Sequence, residues 1–169
     1  MRSPVTPAFL FQRLSELKIE TETVTHPAVF SVEDGEVYVG DLPGVHVKNL
    51  FLCDAKKKMW LITAPWDRAI NLKALPTHIG SKRLSFGSSD RLLRFLGVTP
   101  GSVSPFCVIN DHDGKVQLVL DAAMMTADLI NAHPLVNTQT TAIRPSDLLQ
   151  FVRACDHDPH ILDLTQIGE

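Results

Sequence analysis

The sequence runs Val45-His46-Val47-Lys48-Asn49-Leu50-Phe51-Leu52 in one strand-like segment, where a single cation stands among apolar residues. A strand that buries its neighbours must give the ammonium of Lys48 a partner, because taking that charge out of water unpaired costs several kcal/mol. A bound substrate is one candidate partner. The alternative is a lysine that packs only its alkyl stem on the protein and keeps its ammonium in water.

Short runs with the composition of β-strands lie on both sides of this segment. We expect strands at residues 22–25, 37–39, 45–53, 60–63, 106–110 and 116–120. Turn-forming residues separate them. Residues 54–58 have the character of a hairpin turn, and Asp111-His112-Asp113-Gly114 is a stronger turn because Asp-Gly supplies the positive φ of tight hairpins.

Helical patterns alternate with these strands. Thr6-Pro7 provides a helix start, and the apolar residues that follow recur at helical spacing: Phe9, Leu10, Leu14 and Leu17. We expect further helices at residues 68–75, 88–96, 122–132 and 146–154. Strands joined by both hairpins and helices predict an α/β fold with a mixed sheet.

The composition is typical of a globular protein. The chain has 169 residues, of which 44% are hydrophobic and 21% are charged. This length suits one domain over residues 1–169, with a core that needs neither disulfides nor metal. No apolar run approaches the ~18 residues of a membrane span, and the start of the chain lacks a secretory signal. We therefore expect a cytoplasmic protein that does not associate with membranes. Our expectation for its assembly is a monomer, although the sequence does not decide the oligomeric state.

The cysteines and histidines do not form a metal-binding pattern. The cysteines lie far apart and never as CxxC, which argues against a disulfide framework and a zinc ribbon: Cys53, Cys107 and Cys155. Asp156, His157 and His160 have metal-like spacing but lack a fourth ligand. The usual markers of serine hydrolases, nucleotide-phosphate sites, dinucleotide sites and zinc proteases are also missing. We expect no metal and no cofactor.

The charge distribution leaves nucleic-acid binding open. The formal net charge of -3 does not favour it, since nucleic-acid binders usually carry an excess of Lys and Arg. Positive charge is nevertheless concentrated locally, at Lys56-Lys57-Lys58 and then at Lys82, Arg83, Arg91 and Arg94. These patches either contact phosphates or form a solvated turn and a solvated helix face.

Two later segments have the residue types of a ligand site. Gly101-Ser102-Val103-Ser104-Pro105 is either a plain connection or a loop whose amide hydrogens face a ligand, because glycine permits close approach. In residues 133–141 a His-Pro step precedes a run of hydroxyls and amides, which suits recognition of a small polar substrate. His133 is either part of such a site or a cap at the end of a helix.

Four motifs occur in order along the chain: Thr25-His26-Pro27-Ala28-Val29-Phe30, Gly44-x-x-x-Lys48-Asn49-Leu50-Phe51-Leu52, Gly101-x-x-x-Pro105 and His133-Pro134-x-x-Asn137-x-x-Thr140. Together they resemble the YbaK/prolyl-tRNA synthetase editing-domain superfamily, and within it the free-standing ProXp-ala type. The resemblance covers about residues 20 to 155. It implies a mixed, mostly antiparallel, barrel-like sheet flanked by helices, with no metal and no covalent intermediate.

The resemblance also implies which residues act. Lys48, Gly101 and His133 are the implied catalytic residues: the ammonium holds a phosphate or the ester carbonyl, loop amides stabilise the oxyanion, and the imidazole shapes the amino-acid end. The implied substrate-binding residues are Phe30, Asn49, Ser104, Pro105, Asn137 and Thr140. Val47 stands where a small polar residue is expected and Ser31 where threonine is common, so the pocket departs from the family pattern in detail.

The implied function is hydrolysis of the ester bond by which alanine has been wrongly attached to tRNA for proline. A synthetase cannot exclude a smaller amino acid by binding alone, because one missing methylene is worth only about 1–3 kcal/mol. The implied partners are the acceptor end of tRNA(Pro) and prolyl-tRNA synthetase. Two alternatives stay open: deacylation of cysteine on the same tRNA, and a non-catalytic module that binds tRNA or a synthetase.

Overall fold

A computed structural model describes residues 3–167 of the chain. Its strands are β1 (Glu22–Thr25), β2 (Val45–Asp54), β3 (Met59–Pro65), β4 (Leu84–Phe86), β5 (Val116–Asp121), β6 (Ile130–Ala132), β7 (Gln139–Ile143) and β8 (His160–Leu162). Its α-helices are α1 (Pro7–Glu16), α2 (Val32–Val39), α3 (Leu75–Ile79), α4 (Ser89–Leu96) and α5 (Pro145–Ala154). Short 3₁₀ helices cover Pro105–Asn110, Ala122–Thr126 and Leu164–Gln166.

These strands form one mixed sheet. Their order is β1-β7-β6-β2-β3-β5-β8, and β4 pairs beside β2. The pairings β1–β7, β6–β7, β2–β3 and β2–β4 are antiparallel, whereas β2–β6, β3–β5 and β5–β8 are parallel. The α/β fold with a mixed, mostly antiparallel sheet and flanking helices is confirmed.

Strand β2 has an interruption along one of its edges. On its other edge, β3 pairs with it from Val47 to Cys53. The interrupted edge is shared, since β6 pairs with Val45 and His46 while β4 pairs with residues 52–54. In the part of the chain that the structure describes, residues 47–51 have no strand partner on this edge. A gap therefore opens in the sheet beside the middle of β2.

Side chains alternate across the sheet and build a core on each face. One face buries Phe51 and Leu61 together with apolar residues of α1, α4 and α5. The opposite face buries Leu52 and Ile62 with Leu75 of α3. None of the helices within residues 3–167 has the length and hydropathy needed to cross a membrane.

The cysteines are free thiols that pack in the interior or partly against it. Burial raises the pKa of Cys107 to about 12, although hydrogen bonds with Ser104 work in the opposite direction. Burial also raises the pKa of Cys155 to about 11. Thiols with such pKa values are protonated at neutral pH and react poorly as nucleophiles.

The strands expected at residues 37–39 and 106–110 are wrong, because both segments are helical. Residues 37–39 belong to α2, which begins after Ser31, whose hydroxyl accepts a hydrogen bond from the N–H of Asp34. Residues 106–110 follow Ser104, which caps the 3₁₀ helix, and Pro105, which occupies its first position. In both cases, helix-starting residues just upstream outweigh the strand preference of valine and phenylalanine.

The helices expected at 68–75 and 122–132 are also wrong. The first of these segments is irregular up to α3, and Asn71 Oδ1 accepts hydrogen bonds from two following N–H groups in a turn. The second divides into a 3₁₀ helix capped by Asp121 and the strand β6, which is held extended by its pairing with β2 and β7. The other expected elements are confirmed to within a few residues: helices 88–96 and 146–154, strands 22–25, 45–53, 60–63 and 116–120, and the turn at 54–58.

The turn at residues 111–114 leads from a 3₁₀ helix into β5 instead of joining two strands, and a buried ion pair holds it. His157 Nε2 lies 2.8 Å from Asp111 Oδ2, with side chains 6% and 2% exposed. Burial acts to lower the pKa of His157, but the hydrogen bonds with Asp111 and the Cys155 carbonyl, together with the negative charges of Asp111 and Asp156, outweigh it and raise that pKa. Burial acts to raise the pKa of Asp111, but hydrogen bonds from His157 and from the N–H groups of Val116 and Lys115 lower it.

We expect His157→Ala to lower the free energy of unfolding by about 3 kcal/mol, because it leaves a buried carboxylate without its partner. The His157 contribution is complete below its unfolded pKa of about 6.5 and is lost as the pH rises through the raised folded pKa. The Asp111 contribution is complete above its unfolded pKa of about 3.9 and is lost as the pH falls through the lowered folded pKa.

The destabilisation by His157→Ala should therefore be largest between about pH 4 and pH 6.5. Urea unfolding of wild type and variant across the pH range measures it. The exposed His160→Ala serves as the control. An equal loss of stability at pH 5 and pH 9 would contradict the pairing of the two charged groups.

Candidate functional site

A cleft of about 290 Å³ lies at the gap beside β2. The middle of β2 forms one wall, and the segment leading into α2, the loop at residues 101–103, and residues of β6 and β7 form the others. Several site residues expected from the sequence line this one cavity: Phe30, Lys48, Asn49, Gly101, His133 and Thr140.

The ammonium of Lys48 is positioned by a hydrogen bond to the backbone. Its Nζ donates a hydrogen bond to the backbone carbonyl of Arg68, and Arg68 Nε in turn donates to Asp121 Oδ2 at 2.9 Å. Burial lowers the pKa of Lys48, the carboxylate of Asp67 opposes this effect, and the Arg68 cation adds to it. Because an ammonium has three N–H donors, two remain for a ligand.

Asn49 connects β2 to the glycine loop. Its Nδ2 donates to the carbonyl of Val103 at 3.0 Å, and its Oδ1 accepts from the hydroxyl of Thr63 at 2.7 Å. Thr63 is fully buried and lies directly opposite Asn49 on β3. Asn49 therefore positions the loop that faces Lys48 across the cleft.

The loop that lines the cleft contains two backbone donors without a hydrogen-bond partner. Gly101 has a φ of +96°, a left-handed conformation that favours glycine. Within residues 3–167, the N–H groups of Gly101 and Val103 make no hydrogen bond. Two unpaired amide donors in one loop suit an oxygen that develops negative charge during a reaction.

His133 follows strand β6, so the alternative that it caps a helix is wrong. Its Nδ1 lies 2.8 Å from the carbonyl oxygen of Gln139. Since a carbonyl only accepts, Nδ1 carries the proton and Nε2 is the acceptor of the neutral ring. Burial lowers the pKa of His133, the Gln139 carbonyl opposes this effect, and nearby His26 adds to it. His133 is therefore neutral at pH 7.

Thr140 and His26 form a hydrogen-bonded pair beside His133. His26 Nδ1 lies 2.8 Å from the carbonyl of Pro27, and its Nε2 lies 2.8 Å from the hydroxyl of Thr140. The carbonyl fixes a proton on Nδ1, so in the neutral ring the Thr140 hydroxyl donates to Nε2. The oxygen of Thr140 then keeps its acceptor capacity for a ligand in the cleft.

Three other expected site residues do not line the cleft: Ser104, Pro105 and Asn137. Ser104 and Pro105 are buried at the start of the 3₁₀ helix, where Ser104 Oγ accepts from the N–H of Phe106 at 3.2 Å. Asn137 fixes the position of Val29 by two hydrogen bonds. Its side-chain Nδ2 donates to the Val29 carbonyl at 3.0 Å, and its backbone carbonyl accepts from the Val29 N–H at 3.1 Å. Their contacts fix the position of the segments that carry the lining residues.

The structure adds cleft residues that the sequence analysis did not include. His46 lies two residues before Lys48, and strand alternation could have placed both side chains on one face of β2. Trp66 stacks on the His46 ring with centroids 4.4 Å apart and an interplanar angle of 19°. Asn131 lies beside His46 across the β2–β6 pair, where the sequence predicted a helix.

A family of known proteins shares this region. The family described as the aminoacyl-tRNA editing domain matches residues 26–151, which include all the cleft residues named above. The chain belongs to this editing-domain family. The editing-domain family was expected from the four sequence motifs, and that expectation is confirmed.

Similar proteins support the assignment. Prolyl-tRNA synthetase associated domain-containing protein 1 of Mus musculus is 42% identical over 161 residues, which cover 92% of this chain and 95% of that protein. Prolyl-tRNA editing protein ProX of Acetoanaerobium sticklandii is 39% identical over 143 residues, covering 84% and 87% of the two chains. The solved structure of a candidate trans-editing enzyme for prolyl-tRNA synthetase shares the fold, with a TM-score of 0.70 and 18% identity over 95% of this chain and 98% of that one.

We expect Asn49→Ala to release the glycine loop and to lower the free energy of unfolding by about 1–3 kcal/mol, because the buried Thr63 hydroxyl loses its acceptor. Amide hydrogen exchange at residues 101–104 should become faster. Exchange measured by mass spectrometry, with Asn71→Ala in a turn outside the cleft as the control, tests this expectation. Unchanged exchange in the loop would show that Asn49 does not position it.

Proposed function

We propose that this protein is a trans-editing deacylase that hydrolyses the ester of alanine mischarged onto tRNA(Pro). The observation that carries the proposal is the convergence of three features on one cleft: the held ammonium of Lys48, the free amides at Gly101 and Val103, and the neutral imidazole of His133. Hydrolysis of an ester needs stabilisation of the carbonyl oxygen as it gains charge, and the first two features supply donors for it. The name of the related ProX protein supports the choice of tRNA.

In this proposal the terminal adenosine enters past Phe30. The Phe30 ring is 76% exposed at the rim of the cleft and offers a stacking surface for the base. The two remaining N–H donors of Lys48 hold a phosphate or the ester carbonyl, and the loop amides receive the oxyanion. Water adds to the carbonyl carbon, the ester C–O bond breaks, and alanine and the ribose hydroxyl are released. No carboxylate of residues 3–167 lines the cleft, and the proposal assigns His133 to the amino-acid end, so the neighbouring ribose hydroxyl is the proposed activator of the water.

A basic surface supports contact with the tRNA stem. Lys56, Lys57 and Lys58 are exposed in the β2–β3 turn, and Lys82 and Arg83 are held against that turn by bonds to residues 54 and 55. Strand β2 runs about 20 Å from Lys48 to this turn. Acceptor-stem phosphates can contact this surface while the terminal adenosine occupies the cleft, despite the net charge of -3.

The decisive experiment is a comparison of four substrates with the purified protein: alanyl-, cysteinyl-, seryl- and prolyl-tRNA(Pro). We expect alanine to be released fastest. Faster release of cysteine would favour the alternative in which the substrate thiol attacks its own ester. Binding of all four without hydrolysis would favour a non-catalytic module.

We expect Lys48→Ala to lower kcat/KM for alanyl-tRNA(Pro) by about a hundredfold or more, because a charged donor to the reacting group is lost. The fold should persist, since Lys48 is only half-buried and bonds to one backbone carbonyl. Turnover and circular dichroism measure the two effects separately. Lys73→Ala, an exposed lysine away from the cleft, is the matched control, and near wild-type turnover of Lys48→Ala would refute the role of Lys48.

We expect His133→Ala to reduce discrimination between alanine and proline, because the cleft loses a wall at the amino-acid end. The ratio of alanyl- to prolyl-tRNA deacylation rates should fall about tenfold. This change lies within the ~1–3 kcal/mol of discrimination that one methylene contributes. The exposed His112→Ala is the control. If both rates and their ratio are unchanged, His133 has no contact with the substrate.

A further inference from the structure

A buried carboxylate at the end of β5 pairs with one cation. Asp121, the last residue of this strand, is 0% exposed, and its Oδ2 accepts a hydrogen bond from Arg68 Nε at 2.9 Å. Its Oδ1 accepts from the N–H of Ala123 at 3.2 Å. Neither Asp121 nor Arg68 lines the cleft. Because an unpaired charge in the interior is strongly unfavourable, the buried carboxylate holds the Arg68 guanidinium in place.

Strand register places this carboxylate in line with Lys48, two strands away. Lys48 lies opposite Ala64 in the β2–β3 pair, and Asp121 comes one residue after Leu120, which lies opposite Thr63 in the β3–β5 pair. Positions 48, 64 and 121 therefore form one row across the sheet, with side chains on the same face. Neighbouring strands are about 4.8 Å apart, so the backbones of Asp121 and Lys48 are separated by about 10 Å.

Arg68 joins the two ends of this row through two different groups. Its guanidinium bonds to Asp121, and its backbone carbonyl accepts a hydrogen bond from Lys48 Nζ. Within residues 3–167, this carbonyl is the hydrogen-bond partner of the Lys48 ammonium. One residue outside the cleft thus connects a buried anion to the cation inside the cleft.

The ion pair fixes the part of the backbone that carries this carbonyl. The N–H of Arg68 donates to the Pro65 carbonyl at 2.9 Å and closes a turn after β3, but the Arg68 carbonyl lies beyond that turn. In the part of the chain that the structure describes, the next two residues, Ala69 and Ile70, make no hydrogen bond, although Ile70 packs partly against the apolar core. The Arg68 side chain is therefore the polar attachment of this stretch.

The position of the carbonyl matters because a lysine side chain is flexible. Its ammonium is carried on a stem of four carbons and takes its direction from the acceptor that it meets. A displacement of about 1 Å at a reacting group can lower a rate by a large factor. The Asp121 carboxylate also offsets the positive charge of Arg68, which would otherwise repel the ammonium.

We infer that Asp121 is a positioning residue for Lys48: through its ion pair with Arg68, it holds the backbone carbonyl that directs the ammonium within the cleft. The positioning can be measured without a substrate. Its effect on hydrolysis rests on the proposed function, because it assumes that Lys48 acts on an aminoacyl ester.

The first test is NMR of the lysine Cε–Hε groups in protein made with isotopically labelled lysine. Lys48→Ala identifies the Lys48 signals, and in wild type we expect two distinct Hε protons, as in a side chain held in one orientation. Arg68→Ala keeps the backbone carbonyl but removes its attachment, so the two signals should merge at the averaged position of a mobile lysine such as the exposed Lys73. Arg144→Ala, which loses exposed ion pairs, is the matched control and should leave the Lys48 signals unchanged.

A second variant addresses the same point if Arg68→Ala does not fold. Asp121→Asn leaves no buried charge and keeps an acceptor for the N–H of Ala123, so it should fold. It weakens the hold on Arg68, because a hydrogen bond to a neutral amide is weaker than one to a carboxylate. The Lys48 signals should therefore move towards the averaged position, by less than in Arg68→Ala.

The second test is deacylation of alanyl-tRNA(Pro) in a cycle of variants. Arg68→Ala should lower kcat/KM about tenfold, and Arg68→Lys, which keeps a charged donor, should recover part of that loss. In the Lys48→Ala background, measured by single turnover with excess protein, Arg68→Ala should cause no further loss. A residue that only stabilises the fold would lower activity by the same factor whether Lys48 is present or absent.

The outcomes separate this inference from the proposed function. If wild type hydrolyses alanyl-tRNA(Pro) but the Lys48 signals are unchanged in Arg68→Ala and Asp121→Asn, the positioning role is wrong and the deacylase stands. If the signals merge but wild type hydrolyses no ester, the deacylase is wrong and the positioning of Lys48 stands. An equal loss of activity from Arg68→Ala with and without Lys48 would also overturn the positioning role.

Discussion

The pairing of strand β2 is the constraint on which the rest of the structure depends. Two short strands, β6 and β4, each take one end of the same edge and leave residues 47–51 between them. Backbone groups at such a gap must find other partners or face solvent. The loop at Gly101 lies over the gap, and Asn49 connects the two by its bond to Val103. A cavity with several polar side chains in its walls therefore exists beside the middle of β2.

Three polar side chains of the cleft are fixed in the same way, each by a hydrogen bond to a backbone carbonyl. Lys48 is held by the Arg68 carbonyl, His133 by the Gln139 carbonyl, and Asn131 by the Pro43 carbonyl. In each case a backbone oxygen takes one donor and determines which atoms remain for a ligand. The cavity is thus arranged before a ligand arrives, which reduces the reorganisation that binding or catalysis requires.

Local sequence signals predicted the secondary structure well where residue preference and local capping favour the same element, as at residues 88–96 and 116–120. They failed at residues 37–39 and 130–132, where a helix cap and a long-range strand pairing outweigh residue preference. The motifs pointed to Lys48 and His133 in the cleft. The pairing of His46 with Asn131 is not encoded in either segment alone, because it arises only when β6 docks on β2.

The strand pairings that build the cleft also determine when it can form. Val45 pairs with Ile130, and Thr25 pairs with Gln139, so the walls come from opposite ends of the chain. Such non-local contacts incur the entropy of closing long loops before they gain stability, which slows folding. During synthesis, the first two thirds of the chain can build the β2–β3 hairpin but not the cleft. The cavity appears only after β6 and β7 have left the ribosome, so an incomplete nascent chain would have no binding site for the substrate.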